Sequence, residues 1–289
     1  MAETNRVDGI QITVSQNSNL EFSLDGINYS SKITKSMLDD ILKDLILEDL
    51  TSDDGLMFYS NHYKTETQAK PNRNYIYLEF YVRTNNRYTD LYLVNNLTNQ
   101  VEFDNLPDSG TFVASKGVEF RSSIDYEYAP GEMRFSMVPY TYYAKDAIRF
   151  AFNEIKLSNP NDTRLESELN SFIYDPTENP ERGYGKPYGA ISYVNKTKVL
   201  NVKVPTTVPD TLYKLSEFSV NNPYIPLDTS SRIVKMYRTE EVDFENKVLY
   251  QGKFALSIWL EGFDADMFDP VYNDTLMFQF EFRTATPID

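Results

Sequence analysis

The fold is decided near the end of the chain, by Phe254-Ala-Leu-Ser-Ile-Trp-Leu-Glu-Gly-Phe-Asp-Ala-Asp-Met-Phe-Asp-Pro270 and then Thr275-Leu-Met-Phe-Gln-Phe-Glu-Phe282. In both runs apolar residues recur at every second position, which is the period of a β-strand with a buried face. The segment between the runs is rich in carboxylates: Glu261, Asp264, Asp266 and Asp269. We therefore predict two strands that close an all-β core in the manner of a hairpin, with an acidic loop at one end.

The same apolar patterns recur earlier in the chain. The stretch 7–14 alternates from Ile10 onwards and residues 20–24 alternate again, while residues 75–83 and 147–155 are almost continuously apolar, as in central strands buried on both faces. One helical stripe follows Ser36, with apolar residues spaced three and four apart: Met37, Leu38, Ile41, Leu42, Leu45 and Ile46. The expected fold is an all-β, jelly-roll-like β-sandwich with one or two flanking helices, and the stripe is expected to lie on the protein's own sheet.

Residues 157–230 differ in composition from the rest. Asn, Pro, Gly and Thr punctuate this stretch, and its apolar runs are short. A long loop-rich segment inside a compact domain is commonly functional. We interpret it as an elaboration between core strands of a single domain that comprises residues 1–289.

Charge and composition exclude several classes of function. The chain has 28 basic and 43 acidic residues, for a net charge of −15, so it repels nucleic-acid phosphates and anionic lipid. It contains no cysteine, which excludes disulfides, thiol nucleophiles and Cys-type zinc sites. Its one histidine, His62, lies in a polar segment and is expected to be a solvated loop residue.

The acidic loop admits three interpretations. Glu261, Asp264, Asp266 and Asp269 could supply oxygens to Ca²⁺, although the EF-hand spacing is absent. They could instead form a solvated connecting loop, or provide the pair of carboxylates of a glycoside hydrolase. Trp259, the only tryptophan, falls inside the strand and is expected in the core. We predict no cofactor other than this candidate Ca²⁺.

Two tyrosines and one arginine are further candidates for a site. Tyr184 and Tyr188 lie in a segment rich in Gly and Pro, where they either contact a ligand or fasten the loop. Arg149 lies between apolar neighbours, so we expect it to face a carboxylate or solvent at the sheet edge. Phosphate-binding glycine loops and common hydrolase motifs are absent from the sequence.

The sequence contains no apolar run of transmembrane length. Its first residues do not resemble a secretory signal, because no apolar region follows them. The protein is therefore either cytosolic or the mature form of an exported protein whose leader has been removed.

Several blocks of sequence resemble exported proteins of Gram-positive bacteria. The blocks are residues 19–26, 75–83 with 90–93, 147–152, and Ile258-Trp-Leu-Glu-Gly-Phe-Asp-Ala-Asp-Met267, which is similar to the W-L-E-G-x-D-x-D-C strand that closes those proteins. Met267 stands where the family often has Cys. More distantly the chain is similar to the TasA/camelysin type of biofilm-matrix proteins. The resemblance implies a jelly-roll sandwich, an extracellular or cell-surface location and a capacity to form fibres, and it implies no catalytic residues.

Self-assembly is the function that we predict from these observations. The N-terminal segment carries Ile10, Ile12 and Val14 in alternation and is suited to pair with a sheet edge of the next subunit, head to tail. The same segment could equally pair within its own sheet, and both possibilities stay open. The expectation is a non-enzymatic structural protein of the cell surface or biofilm matrix, whose partners are further copies of itself or cell-surface components. The alternative is an adhesin-like module that binds glycan or cell wall through Tyr184 and Tyr188.

Overall fold

The computed structural model describes residues 6–14, 19–60, 67–197, 203, 205 and 207–288, and strands dominate it. The first twelve strands are β1 (Arg6–Val14), β2 (Leu20–Ser23), β3 (Asp49–Thr51), β4 (Tyr59–Ser60), β5 (Thr67–Gln68), β6 (Ile76–Thr84), β7 (Asp90–Leu93), β8 (Phe112–Ser115), β9 (Val118–Arg121), β10 (Tyr126–Ala129), β11 (Glu132–Arg134) and β12 (Pro139–Tyr142). The others are β13 (Ile148–Ile155), β14 (Ser171–Tyr174), β15 (Thr211–Leu212), β16 (Phe218–Ser219), β17 (Asn222–Pro226), β18 (Arg232–Lys235), β19 (Tyr237–Val242), β20 (Val248–Glu261) and β21 (Thr275–Ala285). The α-helices are α1 (Lys35–Leu42) and α2 (Ala190–Thr197), and 3₁₀ helices occupy Ala144–Ala147, Glu166–Glu168 and Asp269–Asn273. Neither of these two α-helices is long and apolar enough to cross a membrane.

The larger sheet is built around β20. This strand pairs antiparallel with β13 on one side and with β6 on the other. Beyond them lie β14 and β15 on one flank and β2 on the other, and β19 and the β3–β4–β5 group pair at the two ends of β20, which makes ten strands. The smaller sheet has five strands, in which β21 lies between β1 and the pair β7 and β8, with β18 outside β7.

The two sheets pack face to face around phenylalanines. Alternate residues of β20, such as Phe254, point to the same side as Phe150 of β13 and meet the rings of β21. The ring centroids of Phe150 and Phe280 are 4.9 Å apart, and those of Phe254 and Phe282 are 5.9 Å apart. The predicted all-β sandwich with flanking helices is thereby confirmed, while the jelly-roll connectivity stays a prediction.

The two C-terminal strands do not form a hairpin. β20 lies in the larger sheet and β21 in the smaller one, so the chain between them crosses from one layer to the other. The alternation in sequence was interpreted correctly as two strands, but the prediction of their mutual pairing is wrong. Each strand already has neighbours on both of its edges, which leaves no edge for the other.

Helix α1 is shorter than the apolar stripe predicts. It ends at Leu42, and the chain then continues toward β3. Leu38 is buried in the sandwich core, as expected for a helix lying on its own sheet, whereas Met37 and Ile41 remain exposed. The apolar residues of the stripe therefore do not share one buried face, because some are buried and others are exposed to solvent.

The outer face of β20 is also covered. The segment between β3 and β4 lies against it, so that Trp259 packs with Phe58, whose ring centroid is 5.0 Å away, and with Leu50 in a second apolar cluster. Trp259 is buried, as expected, but it belongs to this second cluster and not to the core between the two sheets. The segment 157–230 contributes β14 and β15 to the larger sheet, and the assignment of residues 1–289 to a single domain stays a prediction.

Gly55 permits the covering segment to approach the sheet. Its φ is +70°, and a Cβ built there would lie 2.5 Å from the Cβ of Ala151. Gly131 has a similar φ of +75° but no heavy atom within 4 Å of such a Cβ. A side chain at either position would be strained by the left-handed backbone, but only at Gly55 would its Cβ also clash with Ala151.

We predict that Gly55→Ala destabilises the protein more than Gly131→Ala does. The left-handed backbone costs about 1 kcal/mol in both variants, and the clash with Ala151 adds about 1–3 kcal/mol at Gly55. Urea unfolding measures both. In an Ala151→Gly background the extra cost at Gly55 should shrink, whereas equal losses for the two glycine variants would show that the close packing is unimportant.

Candidate functional site

The acidic loop lies at one end of the sandwich, and three of its four carboxylates are buried. Glu261, Asp264 and Asp266 are all buried, while Asp269, at the start of a 3₁₀ helix, is exposed. Burial of a carboxylate is costly unless the charge is paired and hydrogen-bonded. The partners of these three groups therefore decide what the loop can do.

Arg149 lies at the centre of the buried charges. It projects from β13 opposite Trp259, and it is only 2% exposed. Its Nη2 is 3.0 Å from Oδ2 of Asp175 and also forms an ion pair with Asp264, and its Nη1 donates to the carbonyl of Ile148 at 2.8 Å. One guanidinium thus joins β13, the acidic loop and the segment 157–230.

A second guanidinium holds the neighbouring carboxylate. Nε of Arg182 donates to Oδ2 of Asp266 at 2.8 Å, and its Nη1 donates to the carbonyl of Tyr128 at 2.5 Å. The guanidinium carbon lies 3.8 Å from the ring centroid of Tyr128, within cation–π range. Arg182 therefore fastens the acidic loop to β10 and to the segment 157–230.

Glu261 has hydrogen-bond donors as its nearest partners. Nε1 of Trp259 donates to its Oε2 at 3.0 Å, and the backbone N–H of Phe263 donates to its Oε1 at 3.1 Å. Burial outweighs these bonds and raises the pKa of Glu261 to about 7. Burial raises the pKa of Asp264 well above its usual range despite Arg149.

These contacts argue against the predicted calcium site. Two of the four carboxylates face guanidinium groups, Glu261 accepts from neutral donors and Asp269 lies apart at the surface. Among the residues that the structure describes, no group of three or more Asp, Glu or His side chains could hold a metal ion. The calcium site stays a prediction, whereas the interpretation of this segment as a solvated loop is wrong, because Glu261, Asp264 and Asp266 are buried.

Tyr184 and Tyr188 are both more than nine-tenths buried. The backbone of Tyr184 pairs with that of Asp264, and its ring meets Phe263 edge to face. The hydroxyl of Tyr188 donates to the carbonyl of Glu181. These contacts are those of residues that fasten the loop, although Tyr184 also lines a pocket. His62 lies outside the described residues.

The predicted assembly strand occupies the edge of the smaller sheet. β1 pairs in parallel with β21 of the same chain, with Ile10 opposite Phe278 and Ile12 opposite Phe280. The side chains of Ile10 and Ile12 are 2% and 0% exposed. The backbone of Val14 lies opposite Phe282 at the end of this register. In the isolated chain, therefore, the segment completes its own sheet.

Asp175 and Arg182 complete the network and were not predicted. Both lie in the segment 157–230, far along the chain from Arg149 and from the acidic loop. No spacing rule connects residues that are so far apart. The only signal available was the isolated Arg149 inside an apolar strand, which required buried carboxylates somewhere in the fold.

No known family model matches the chain, and neither a curated protein nor a solved structure is significantly similar to it. The resemblance to exported surface proteins stays a prediction.

We predict that Arg149→Met costs about 3–5 kcal/mol of unfolding free energy, because it leaves Asp175 and Asp264 buried without their cation. The matched control is Arg121→Met, which breaks an exposed pair with Glu119 and should cost less than about 1 kcal/mol. The loss at Arg149 should be smaller in mild acid, where the two carboxyls take up protons. Similar losses in the two variants would contradict the central role of Arg149.

Glu261 should make the protein less stable as the pH rises. Its pKa is about 7 in the folded chain against an ordinary value of 4.5, so between these values the folded state retains a proton that the unfolded state has lost. Stability is thus lost with rising pH over this window, by on the order of 3 kcal/mol in total. Glu261→Gln carries no titrating group and should remove this component.

The measurement is the unfolding free energy at about pH 5 and about pH 8, with the exposed Glu240→Gln as control. The decrease in stability should be clearly smaller in Glu261→Gln than in Glu240→Gln. Identical decreases would mean that Glu261 titrates like a surface carboxylate.

Proposed function

We propose that this protein is a structural component of the cell surface or of an extracellular matrix, and that it assembles by exchange of its N-terminal strand. In the assembly, β1 of one chain would lie beside β21 of the next chain instead of its own. The observation that carries the proposal is the parallel register of β1 with β21, which shifts between Val7 and Gly9 and is unbroken from Gly9 to Val14. These are the first and the last strands of the described structure.

The contacts of β1 favour exchange because a neighbouring chain can reproduce them. Ile10 and Ile12 fill the core against Phe278 and Phe280, and an identical strand from another copy would bury the same surfaces. Exchange of an identical element conserves its contacts, which is why it is a low-cost route to assembly. If β1 left its position beside β21, the backbone of β21 and part of the core would be exposed to solvent. Binding of a β1 strand from another chain would cover these surfaces again.

Few backbone hydrogen bonds on the outer edge of β1 would have to break for the strand to be released. Within the described residues the backbone contact on that side is a single bridge, in which Ile12 N–H donates to the carbonyl of Ile33 at 3.1 Å. Helix α1 packs nearby through Leu38. β1 is therefore held mainly by β21.

Two chains that exchange β1 with each other would form a closed dimer. If each chain instead donates β1 to a further chain, the assembly can grow without limit. Donor and acceptor surfaces on one chain are different, so successive copies relate head to tail. Contacts of this kind generate filaments when the rotation between copies does not close. A filament of this type accounts for the proposed structural role without a catalytic centre.

A disulfide trap tests the proposal directly. Gln11 and Gln279 are partners in the register, and the chain has no cysteine of its own. We predict that the variant carrying Gln11→Cys and Gln279→Cys, oxidised after assembly, gives a ladder of covalent multimers on a non-reducing gel. Electron micrographs of the same sample should contain filaments.

The single variant Gln11→Cys is the control, since one cysteine per chain permits only covalent dimers. A chain that lacks residues 1–14 should form no filaments. If the double variant yields only internally crosslinked monomer under conditions where filaments are present, β1 is not the exchanged element.

A further inference from the structure

An exposed β-turn between β11 and β12 carries three apolar side chains. It comprises residues 135–138, in which the carbonyl of Phe135 accepts from the N–H of Val138 at 3.4 Å. The side chains of Phe135, Met137 and Val138 are 55%, 68% and 40% exposed. Residues 67–197 are described without a gap, and this apolar turn lies within them together with its supports. Apolar side chains that cluster at the surface are typical of contact sites.

Met137 has a backbone conformation that its side chain does not favour. Its φ is +62°, and a positive φ at the third residue of a β-turn is normally supplied by Gly or Asn. In the described structure six non-glycine residues have a positive φ, of which four are Asn and the others are Glu178 and Met137. Glu178 accepts a hydrogen bond from the hydroxyl of Tyr174 at 2.8 Å, whereas most of the Met137 side chain lies in solvent. A strained residue whose side chain contributes little to the fold is commonly functional.

The backbone of the apolar turn is held by neighbouring parts of the fold. The N–H of Ser136 donates to Oδ1 of Asp125 at 2.6 Å. The N–H of Met137 donates to the carbonyl of Ser122 at 2.8 Å. The exposed side chains are therefore presented by a fixed loop.

A stack of alternating rings and guanidinium groups supports the turn from below. The hydroxyl of Tyr140 accepts from the N–H of Phe135 at 3.4 Å. The guanidinium carbon of Arg134 lies 4.3 Å from the ring centroid of Tyr140 and 4.1 Å from that of Tyr128. Tyr128 in turn contacts Arg182, which is paired with the acidic loop. The turn is thus preorganised, so that a contact through it costs little conformational entropy.

The charge around the turn suits a second copy of this chain. Residues 116–145, which include β9 to β12, carry four basic and four acidic side chains, so the net charge of −15 belongs to the rest of the chain. Two copies therefore repel each other least where this segment faces its counterpart.

An exposed ion pair beside the turn is self-complementary. Arg121 lies opposite Pro139 in the register of β9 with β12, and its Nη2 is 3.4 Å from Oε1 of Glu119. More than half of each of the two charged side chains is exposed. Across a two-fold axis, Glu119 of one copy would pair with Arg121 of the other, and the reciprocal pair would form with it.

We propose that the apolar turn is the centre of a two-fold contact between copies of this chain. Phe135, Met137 and Val138 of one copy would pack against the same residues of the other, with the reciprocal ion pairs at the rim. The contact uses neither β1 nor β21, so it does not depend on strand exchange. Where strand exchange also occurs, the contact would join two filaments side by side.

Sedimentation equilibrium measures the contact in a chain whose strand exchange is blocked. The full chain with Gln11→Cys and Gln279→Cys, oxidised at high dilution, holds β1 on its own β21. This locked chain should pass from monomer to dimer, and to no larger species, between roughly 1 µM and 1 mM. A monomer throughout this range would overturn the two-fold contact and would leave the proposal of strand exchange standing.

The substitution Met137→Asn, made in the locked chain, identifies the turn as the contact. Asn tolerates the left-handed backbone, so the thermal midpoint should stay the same or rise, while the dissociation constant of the dimer should rise at least about tenfold. Val220→Asn is the matched control, because Val220 is a fully exposed apolar residue of another turn, and it should leave the dissociation constant unchanged. An unchanged dissociation constant in Met137→Asn would overturn the proposal.

Reversal of charges tests the two-fold arrangement. Arg121→Glu should weaken dimerisation at least about threefold, and the further substitution Glu119→Arg should restore it, because the reciprocal pairs form again in the opposite order. Failure of the second substitution to restore the dimer would contradict a two-fold axis at this place.

Vesicles of phosphatidylcholine test the competing occupant. The chain should not sediment with them. Binding to the vesicles that Met137→Asn abolishes, in a chain that stays monomeric, would assign the apolar turn to a lipid surface and overturn the contact between copies.

Discussion

Most of this structure depends on one constraint, which is that β20 is buried on both faces along its second half. On the inner face, period-2 alternation directs its apolar side chains against the phenylalanines of β21, as in any sandwich. The outer face carries Ser257, Trp259 and Glu261, which require a second layer of chain to cover them. Phe58 covers Trp259, while Asp175 and Tyr184 of the segment 157–230 contact Arg149 and the acidic loop, so both segments contribute to the fold itself.

Covering the outer face creates an electrostatic problem, and the ion-pair network is its solution. Arg149 lies on the covered side of β13, where a guanidinium is tolerated only with close counter-charges. Asp264 arrives from the loop that crosses between the sheets, and Asp175 arrives from the segment 157–230. Glu261 accepts hydrogen bonds from neutral donors, and burial raises its pKa to about 7. Stability is thereby coupled to pH through the same contacts that seal the end of the sandwich.

The sequence predicted what is local and missed what is distant. Alternation correctly identified β1, β2, β20 and β21, and the continuous apolar run of residues 147–155 correctly indicated burial on both faces. The same reasoning failed for β6, whose outward residues are only half-buried, because apolar composition does not show which faces a later segment will cover. Pairing of β20 with β21 was predicted from proximity in sequence, although pairing is decided by free edges. The partners of Arg149 lie in different parts of the chain, and no periodicity connects them.

The buried ion pairs and the proposed assembly strand β1 lie in different parts of the fold. The ion-pair network joins β13, β20 and the covering segments, and in the described structure none of its members lies on β1. Release of β1 would therefore leave the charged end of the sandwich closed, and its cost would be the exposure of the edge of β21 and of the core surface that Ile10 and Ile12 cover. A strand whose removal does not break buried ion pairs can be exchanged without unfolding the rest, because stability is not uniform across a structure. The proposed exchange of β1 would thus leave the buried ion pairs beside the larger sheet in place.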